Sequence, residues 1–240
     1  MIELTGIDGC NVMDHLITQK HESYTFGSLS KLNNIQLETL VRAFDKPNVE
    51  TSAVLGGRSS VKRIHLEGIG PVVIKYNTRG GLVRLFVERT YVRIGKPCNR
   101  IEFEQLMNAS KIGINVPEPV AFATNGFLFY KGWLVLREIK NSETLVEISL
   151  KDEARTGRLL NEITRQINIL INSGLYHVDL HPGNILVTDD DRIFIVDFHK
   201  ARKYNGSKKK LQKKYSARWK RAVKKHGLLE ALNNVFEKRL

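Results

Sequence analysis

The sequence predicts an α+β fold in which a β-rich first part precedes a smaller, mainly helical second part. Runs of β-branched and aromatic residues, which favour strands, are concentrated before residue 140. The clearest helical periodicity comes later, from Lys151 to Asn172, where apolar residues recur every three to four positions until Gly174. We therefore expect one domain with two lobes, an N-lobe of residues 1–140 and a C-lobe of residues 141–240.

The first part should contain several strands, one helix and one hairpin, whereas residues 1–50 carry no motif. Ile101 to Ile112 has helical spacing, and Gly113 is a suitable residue to end that helix. The prolines keep residues 116–120 extended, because each disfavours helix in the residue before it. Strands are expected at Ser52–Leu55, Val61–Leu66 and Val72–Tyr76, and a hairpin at Phe127–Tyr130 and Trp133–Ile139 around Lys131-Gly132.

Composition is typical of a globular protein from a reducing compartment. Hydrophobic residues make up 42% of the 240, which is enough for a core. Cys10 and Cys98 are far apart and in no metal-ligand spacing, which argues against a disulfide framework or a zinc site. The N-terminus lacks the pattern of a signal peptide, and no apolar run approaches the roughly 20 residues of a membrane-spanning helix. We therefore expect a cytoplasmic protein.

The sharpest chemical feature is the segment 177–186, HVDLHPGNIL, which lies between the long helix and a predicted strand. Asp179 could accept or orient the proton of an acceptor hydroxyl, and the amide oxygen of Asn184 could bind Mg²⁺, as phosphoryl transfer requires. A second apolar strand, Ile193–Val196, ends at Asp197, whose carboxylate could bridge a metal ion to phosphate oxygens. The pattern therefore predicts Asp179 as catalytic base and Asn184 and Asp197 as metal ligands.

These residues also have structural interpretations. Asp179 and Asn184 could serve only as turn residues, because Asp-x-x-Pro-Gly-Asn is turn chemistry as well. His177 could transfer a proton, but we favour a role in bracing the loop. His181 could pack within the loop or contact a substrate.

Lys75 would complete a phosphate-binding set. It lies near the end of the predicted strand Val72–Tyr76, where a cation could hold the α- and β-phosphates of ATP. Such a lysine needs a helical glutamate as its ion-pair partner, and both Glu102 and Glu104 are placed for this. We prefer Glu102, although the sequence does not exclude Glu104.

Gly56 and Gly57 lie between two predicted strands, where a phosphate-covering loop would be expected. Glycines there would let backbone N–H groups approach phosphate oxygens. The full Gly-x-Gly-x-x-Gly pattern is missing, so the segment could also be an ordinary hairpin turn. No Gly-x-x-x-x-Gly-Lys-Ser/Thr motif occurs, which argues against a P-loop enzyme.

Together these motifs resemble the lipopolysaccharide core kinases, particularly the 3-deoxy-D-manno-octulosonic acid (Kdo) kinase type. The likeness covers roughly residues 53–203 and includes Lys75-Tyr76, Arg79 to Leu82, Glu102-Phe103 and the extended segment 116–120. It implies a two-lobed protein-kinase-like fold and a cytoplasmic, ATP- and Mg²⁺-dependent enzyme. The acceptor would be a hydroxyl of Kdo or heptose in a lipid-linked core saccharide. The segment 177–184 is also similar to aminoglycoside and choline phosphotransferases and to AarF-like kinases.

Departures from the protein-kinase pattern favour a small or lipid-linked acceptor. Val178 stands where regulated protein kinases have Arg, and His199 replaces the Gly after Asp-Phe. Only 43 residues follow Asp197, and no Ala-Pro-Glu element is among them. A large lobe for binding protein substrates is therefore not expected.

The formal charge of +13 arises in one segment, because 13 Lys and Arg residues and no acid lie between Phe198 and Leu229. Lys208 to Lys225 should be helical, with an apolar stripe that we expect to pack on the C-lobe. The basic residues of 200–225 could draw the protein to an anionic membrane surface or an anionic acceptor. Nucleic-acid binding is a rival use of the charge, but no recognition motif supports it. A nucleotide-binding pseudokinase scaffold, recruited by this tail, is the alternative from a different functional class.

Overall fold

An antiparallel sheet is the main feature of the first half of the chain, and helices dominate the second half. The computed structural model describes residues 16–45, 61–76, 91–92 and 95–236. The predicted strand at Ser52–Leu55 lies outside these residues. The α+β prediction is confirmed.

The large sheet has the order β1-β2-β6-β7-β4-β3, and β5 pairs with β7 beside this path. All of these pairings are antiparallel, and the register places Lys75 opposite Leu134 of β7 and Val61 of β3. The strands are β1 (Ile17–His21), β2 (Tyr24–Ser28), β3 (Val61–Leu66), β4 (Gly70–Tyr76), β5 (Tyr91–Val92), β6 (Pro119–Asn125) and β7 (Phe129–Arg137).

Residues 16–45 contribute more structure than their lack of a motif predicts. They form the β1–β2 hairpin and the helix α1, Asn34–Asp45. The helix begins with a reciprocal cap, in which Asn33 and Gln36 each accept a hydrogen bond from the other's backbone N–H. Its buried face then packs against the sheet at Leu37, Leu40, Val41 and Phe44.

The predicted hairpin around Lys131-Gly132 is wrong. Residues 129–137 form a single strand, β7, and the hairpin instead joins β6 to β7 through Gly126. Gly126 has φ +103, and a Cβ there would lie 2.1 Å from the carbonyl oxygen of Phe129, so only glycine fits the turn. Gly132 serves a different purpose, since its missing side chain makes room for Asn99, whose Oδ1 would be 3.0 Å from a Cβ.

Asn99 belongs to the helix α2, Cys98–Lys111, which lies against the sheet. Its side-chain amide donates hydrogen bonds to the carbonyls of Ala123 and Trp133, so the start of α2 is fixed to β6 and β7. The helix ends at Lys111, and Gly113 follows with φ +86, as a helix-terminating glycine should.

The second half contains three helices, two small sheets and two 3-10 helices among its described residues. The helices are α3 (Leu145–Lys151), α4 (Glu153–Ser173) and α5 (Lys208–His226); the strands are β8 (Ser142–Thr144), β9 (Leu175–Tyr176), β10 (Ile185–Thr188), β11 (Ile193–Ile195) and β12 (Arg202–Lys203); the 3-10 helices are Pro182–Asn184 and Glu230–Phe236. β10 pairs with β8 and β11, and β12 pairs with β9.

The predicted helix from Lys151 to Asn172 is interrupted at Asp152. This residue is extended, with φ −144 and ψ 91, and its carboxylate accepts a hydrogen bond from Arg155 N at 2.8 Å. Lys151 therefore ends α3, and Asp152 caps the start of α4. The other end agrees with the prediction, since Gly174 follows Ser173 with φ +68.

The basic segment folds as the helix α5 and packs into the core. Leu211, Tyr215, Trp219 and Ala222 are all buried, which confirms the packing of the apolar stripe. The indole Nε1 of Trp219 donates to the carbonyl of Leu232 at 3.0 Å. None of the helices within the described ranges is long and apolar enough to cross a membrane.

Candidate active site

Lys75 brings together three parts of the chain. Its Nζ lies 2.7 Å from Glu102 Oε1 on α2 and 2.5 Å from Asp197 Oδ1, which follows β11. The lysine side chain is 15% exposed and that of Glu102 only 1%, so this ion pair is largely removed from water. The sheet, α2 and the second half of the chain therefore meet at one cationic group.

The structure pairs Lys75 with Glu102 and not with Glu104. Glu104 points to another face of α2, where its carboxylate contacts Lys96 and Arg100. Oε2 of Glu102 is buried and has no hydrogen-bond partner among the described residues. The carboxylate is therefore held mainly through the contact of its Oε1 with Lys75.

Strong ion pairing governs the ionisation of Lys75 and Asp197. Burial opposes the charged form of Lys75, but the carboxylates of Glu102 and Asp197 outweigh it and raise the lysine pKa above its ordinary value. Burial likewise opposes ionisation of Asp197, yet hydrogen bonding from His199 and the charge of Lys75 hold its pKa well below the usual range. Both groups are therefore charged at neutral pH.

Asp197 has an unusual backbone conformation. Its φ is +69, a region that non-glycine residues rarely adopt and that is concentrated at functional sites. Lys75 and His199, the latter at 2.9 Å through Nδ1, both contact Oδ1. Within the described residues no hydrogen bond is made to Oδ2, so this oxygen is available to an outside cation.

The catalytic-loop candidates are held by local hydrogen bonds. Asn184 Nδ2 donates to the carbonyl oxygen of Asp179 at 2.9 Å, which leaves the amide Oδ1 as the atom that could take a cation. Val196 N donates to the carbonyl of Asn184 at 3.0 Å, so the strand that leads into Asp197 is attached to the same loop. His181 Nδ1 accepts from Gly183 N and caps the 3-10 helix.

His177 lies in the interior beneath this loop. Its Nε2 is 2.9 Å from the carbonyl of Val196, and its ring packs edge-on against the fully buried Phe198. Burial lowers the pKa of His177, so the ring is neutral at neutral pH. These contacts are those expected of a histidine that braces the loop.

The carboxylate of Asp179 is flanked by two cations. Lys200 Nζ lies 3.1 Å from Oδ2, and an Nη atom of Arg218 lies 3.6 Å from Oδ1. Burial opposes ionisation, but the hydrogen bond and charge of Lys200 outweigh it and lower the pKa of Asp179. The group is therefore an ionised hydrogen-bond acceptor at neutral pH.

Tyr215 of α5 attaches the basic helix to this loop. Its hydroxyl donates to the carbonyl of Leu175 at 2.6 Å and accepts from His177 N at 2.8 Å. Sequence reasoning treated Tyr215 only as part of an apolar stripe and did not single out Lys200 or Arg218. The signal available for these two cations was that residues 200–225 contain 13 basic residues and no acid, a pattern that does not distinguish one basic residue from another.

The donor set suits Mg²⁺ bound together with phosphate. One carboxylate oxygen and one amide oxygen are ligands that Mg²⁺ accepts, with water and phosphate oxygens completing its shell. No group of three or more His, Cys, Asp or Glu side chains that could hold a metal occurs in the described part of the chain, so an all-protein cage is not present there. The predicted phosphate loop, Gly56 and Gly57, lies outside the described residues.

Lys75 is paired with a helical glutamate and with Asp197, and the strand before Asp197 is hydrogen-bonded to Asn184. This is the arrangement of a protein-kinase-like fold. Residues 55–235 match the sequence profile of the family described as "Lipopolysaccharide kinase (Kdo/WaaP) family". The match covers more than half of the chain, and the chain belongs to this family.

Curated relatives agree with the family match. The chain is 31% identical over 150 residues to a 3-deoxy-D-manno-octulosonic acid kinase of Vibrio parahaemolyticus, an alignment that covers 61% of this chain and 62% of the relative. It is 32% identical over 130 residues to the enzyme of the same name from Vibrio cholerae, covering 53% and 55% of the two chains. The chain thus spans less than two thirds of the length of these relatives.

Proposed function

We propose that this chain is an ATP-dependent kinase that phosphorylates a sugar hydroxyl in the inner core of a lipopolysaccharide precursor. The observation that carries the proposal is the Lys75 junction, in which a buried ion pair with Glu102 sets the lysine against Asp197. The ionised carboxylate of Asp179 also supports an active kinase, because a pseudokinase scaffold would not need a proton acceptor at this position.

Asp179 would act on the acceptor. Its carboxylate accepts the hydroxyl proton while the oxygen bonds to the γ-phosphorus and the bond to the bridging oxygen of ADP breaks. The products are a sugar phosphate and ADP. The depressed pKa suits a carboxylate that orients the hydroxyl and takes its proton late in the transfer.

Lys75 would hold the α- and β-phosphates of ATP, and Glu102 would fix the position of the lysine. Asn184 and Asp197 would hold Mg²⁺ through Asn184 Oδ1 and Asp197 Oδ2. A bound Mg²⁺ supplies positive charge that offsets the negative charge on the phosphate oxygens. Gly56 and Gly57 remain our candidates for covering the phosphates. We also propose that the domain is divided into an N-lobe of residues 1–140 and a C-lobe of residues 141–240.

Kdo is the acceptor that we favour over heptose. The names of the curated relatives support this choice, since they are 3-deoxy-D-manno-octulosonic acid kinases. An acidic sugar would also suit the positive charge of Lys200 and Arg218 beside Asp179.

We further propose that the enzyme works at the cytoplasmic face of the inner membrane, where ATP and a lipid-anchored acceptor meet. Basic residues on the outward face of α5 would attract the protein to the membrane, since each contributes about 1 kcal/mol of binding free energy near an anionic surface. The exposed basic side chains are Lys208, Lys209, Lys210, Lys213, Lys214, Lys220, Arg221, Lys224 and Lys225. Sedimentation with vesicles tests this, and equal binding to neutral and anionic lipid would contradict it.

Transfer of labelled γ-phosphate from ATP to a panel of acceptors tests the proposed function. The panel should hold Kdo-lipid A, a heptosylated core, an aminoglycoside and a generic protein substrate. We expect labelling of Kdo-lipid A in the presence of Mg²⁺ and its loss on chelation. Labelling of the aminoglycoside or the protein alone would favour the other kinase classes, and ATP binding without transfer to any acceptor would favour a pseudokinase.

A further inference from the structure

Charge is divided unequally between the two sides of the candidate active site. On one side Lys75 faces two carboxylates, Glu102 and Asp197, which leaves one negative charge where a metal ion is expected. On the other side Asp179 faces two cations, Lys200 and Arg218, which leaves one positive charge where the acceptor hydroxyl must approach.

The two cations come from different elements but are held at the same place. Lys200 follows Asp197 by three residues, and Arg218 lies in α5. Tyr215, less than one helical turn before Arg218, is hydrogen-bonded to the backbone of the loop that contains Asp179. The part of α5 that carries Arg218 is therefore attached to the loop.

Both cations remain accessible from solvent. The Lys200 side chain is 56% exposed and that of Arg218 is 36% exposed, whereas Asp179 is only 26% exposed. In the described part of the chain, the ion pairs of both residues go to Asp179 alone. Ion pairs this exposed to solvent contribute little to folding stability, so stability is a weak reason for two cations here.

We propose that Lys200 and Arg218 form an anion-binding subsite that holds a carboxylate or phosphate of the acceptor beside the hydroxyl presented to Asp179. The proposal rests on the proposed function and specifies its substrate class, an acceptor with an anionic group within a few ångströms of the reacting hydroxyl. Arginine suits this role because its planar group can bind a carboxylate or phosphate through two hydrogen bonds, and lysine adds a point charge.

Acceptor kinetics of the full chain test the subsite through Lys200→Gln and Arg218→Gln. Each variant should raise KM for Kdo-lipid A by about 10-fold to 100-fold, the range for losing a charged hydrogen bond, while KM for ATP stays unchanged. Lys200→Arg should restore much of the loss. Charge-matched controls are Lys31→Gln and Arg42→Gln, which remove exposed cations at or near α1.

Two modified acceptors identify the anion. Conversion of the Kdo carboxylate to its amide removes the sugar's charge, and enzymatic dephosphorylation removes a phosphate of lipid A. The modification that removes the bound anion should weaken wild-type acceptor kinetics and abolish any further effect of Lys200→Gln or Arg218→Gln. A variant that merely misfolds would lose the same factor with every acceptor.

Calorimetric binding of the acceptors to the enzyme separates this inference from the proposed function. Weaker binding of Kdo-lipid A to both variants than to wild type supports the subsite even if no phosphate is transferred. Equal binding to wild type and variants, or equal losses with charged and neutral acceptors, overturns the subsite. Failure of wild-type transfer to Kdo-lipid A would contradict only the proposed function.

Discussion

Replacement of Tyr215 by phenylalanine should lower the free energy of unfolding and loosen the attachment of the loop that contains Asp179. The hydroxyl accepts from His177 N and donates to the carbonyl of Leu175, and burial raises its pKa, so it stays protonated as a donor at neutral pH. Phenylalanine preserves the ring packing but leaves a buried N–H and a buried C=O without their partner.

The expected loss follows from these two contacts. A buried polar group deprived of its partner costs about 1–3 kcal/mol, so two such groups should lower the free energy of unfolding by about 2–6 kcal/mol. For a chain of this size that corresponds to a decrease in Tm of about 4–24 °C. The rate of phosphate transfer should fall as well, because His177 N lies two residues from Asp179.

Urea unfolding and steady-state kinetics on the same preparations would measure both effects. Tyr204→Phe is the matched control, since its hydroxyl makes no hydrogen bond among the described residues and its loss should cost under about 0.5 kcal/mol. Equal stability of Tyr215→Phe and Tyr204→Phe would refute the reasoning, because α5 would then not be anchored to the loop through this hydroxyl.

Three other perturbations have defined outcomes. Glu102→Gln should lower kcat by about 100-fold by releasing Lys75 from the position in which we propose that it binds phosphate, whereas Glu104→Gln should change kcat by under about 3-fold. Burial, with a nearby arginine, lowers the pKa of His181 to about 4, so the unfolded chain binds its proton first as pH falls. Stability should therefore decrease from pH 6.5 towards pH 4, with a shallower slope in His181→Asn. Gly126→Ala should cost at least about 2 kcal/mol because the turn has no space for a Cβ, whereas Gly157→Ala in α4 should stabilise by up to about 1 kcal/mol.

Each of these outcomes has a contrary result. Similar kcat values for Glu102→Gln and Glu104→Gln would remove Glu102 from its positioning role. An unchanged pH slope in His181→Asn would show that this histidine is not held neutral. A neutral Gly126→Ala would mean that the turn can move to admit a methyl group.

Sequence patterns located the elements with strong local signals. The α2 region, the β10–β11 hairpin and the α5 stripe each carry a periodicity or a turn residue that acts over a few positions. The α1 helix was not predicted, but the sequence contains a signal for it. Asn33 and Gln36 have capping-box spacing ahead of an apolar face at Leu37, Leu40, Val41 and Phe44.

Other features depend on contacts between distant residues. Gly132 reads as a turn residue in the sequence, and its function is apparent only once Asn99 is packed against it. Lys200 and Arg218 are two of many basic residues until the fold brings them to Asp179. The choice between Glu102 and Glu104 likewise depends on which face of α2 is turned towards β4, and only the fold shows this. Tertiary packing supplies this information, and local propensity does not.

Single-turnover transfer of γ-phosphate from Mg-ATP to Kdo-lipid A, in wild type and Asp179→Asn, tests the central claim most directly. Asparagine preserves the size of the side chain and removes its ability to accept the hydroxyl proton. We expect the transfer rate to fall by about 10²-fold to 10⁴-fold while the affinity for ATP is retained. A transfer rate in Asp179→Asn equal to that of wild type would contradict the assignment of this carboxylate as the catalytic base.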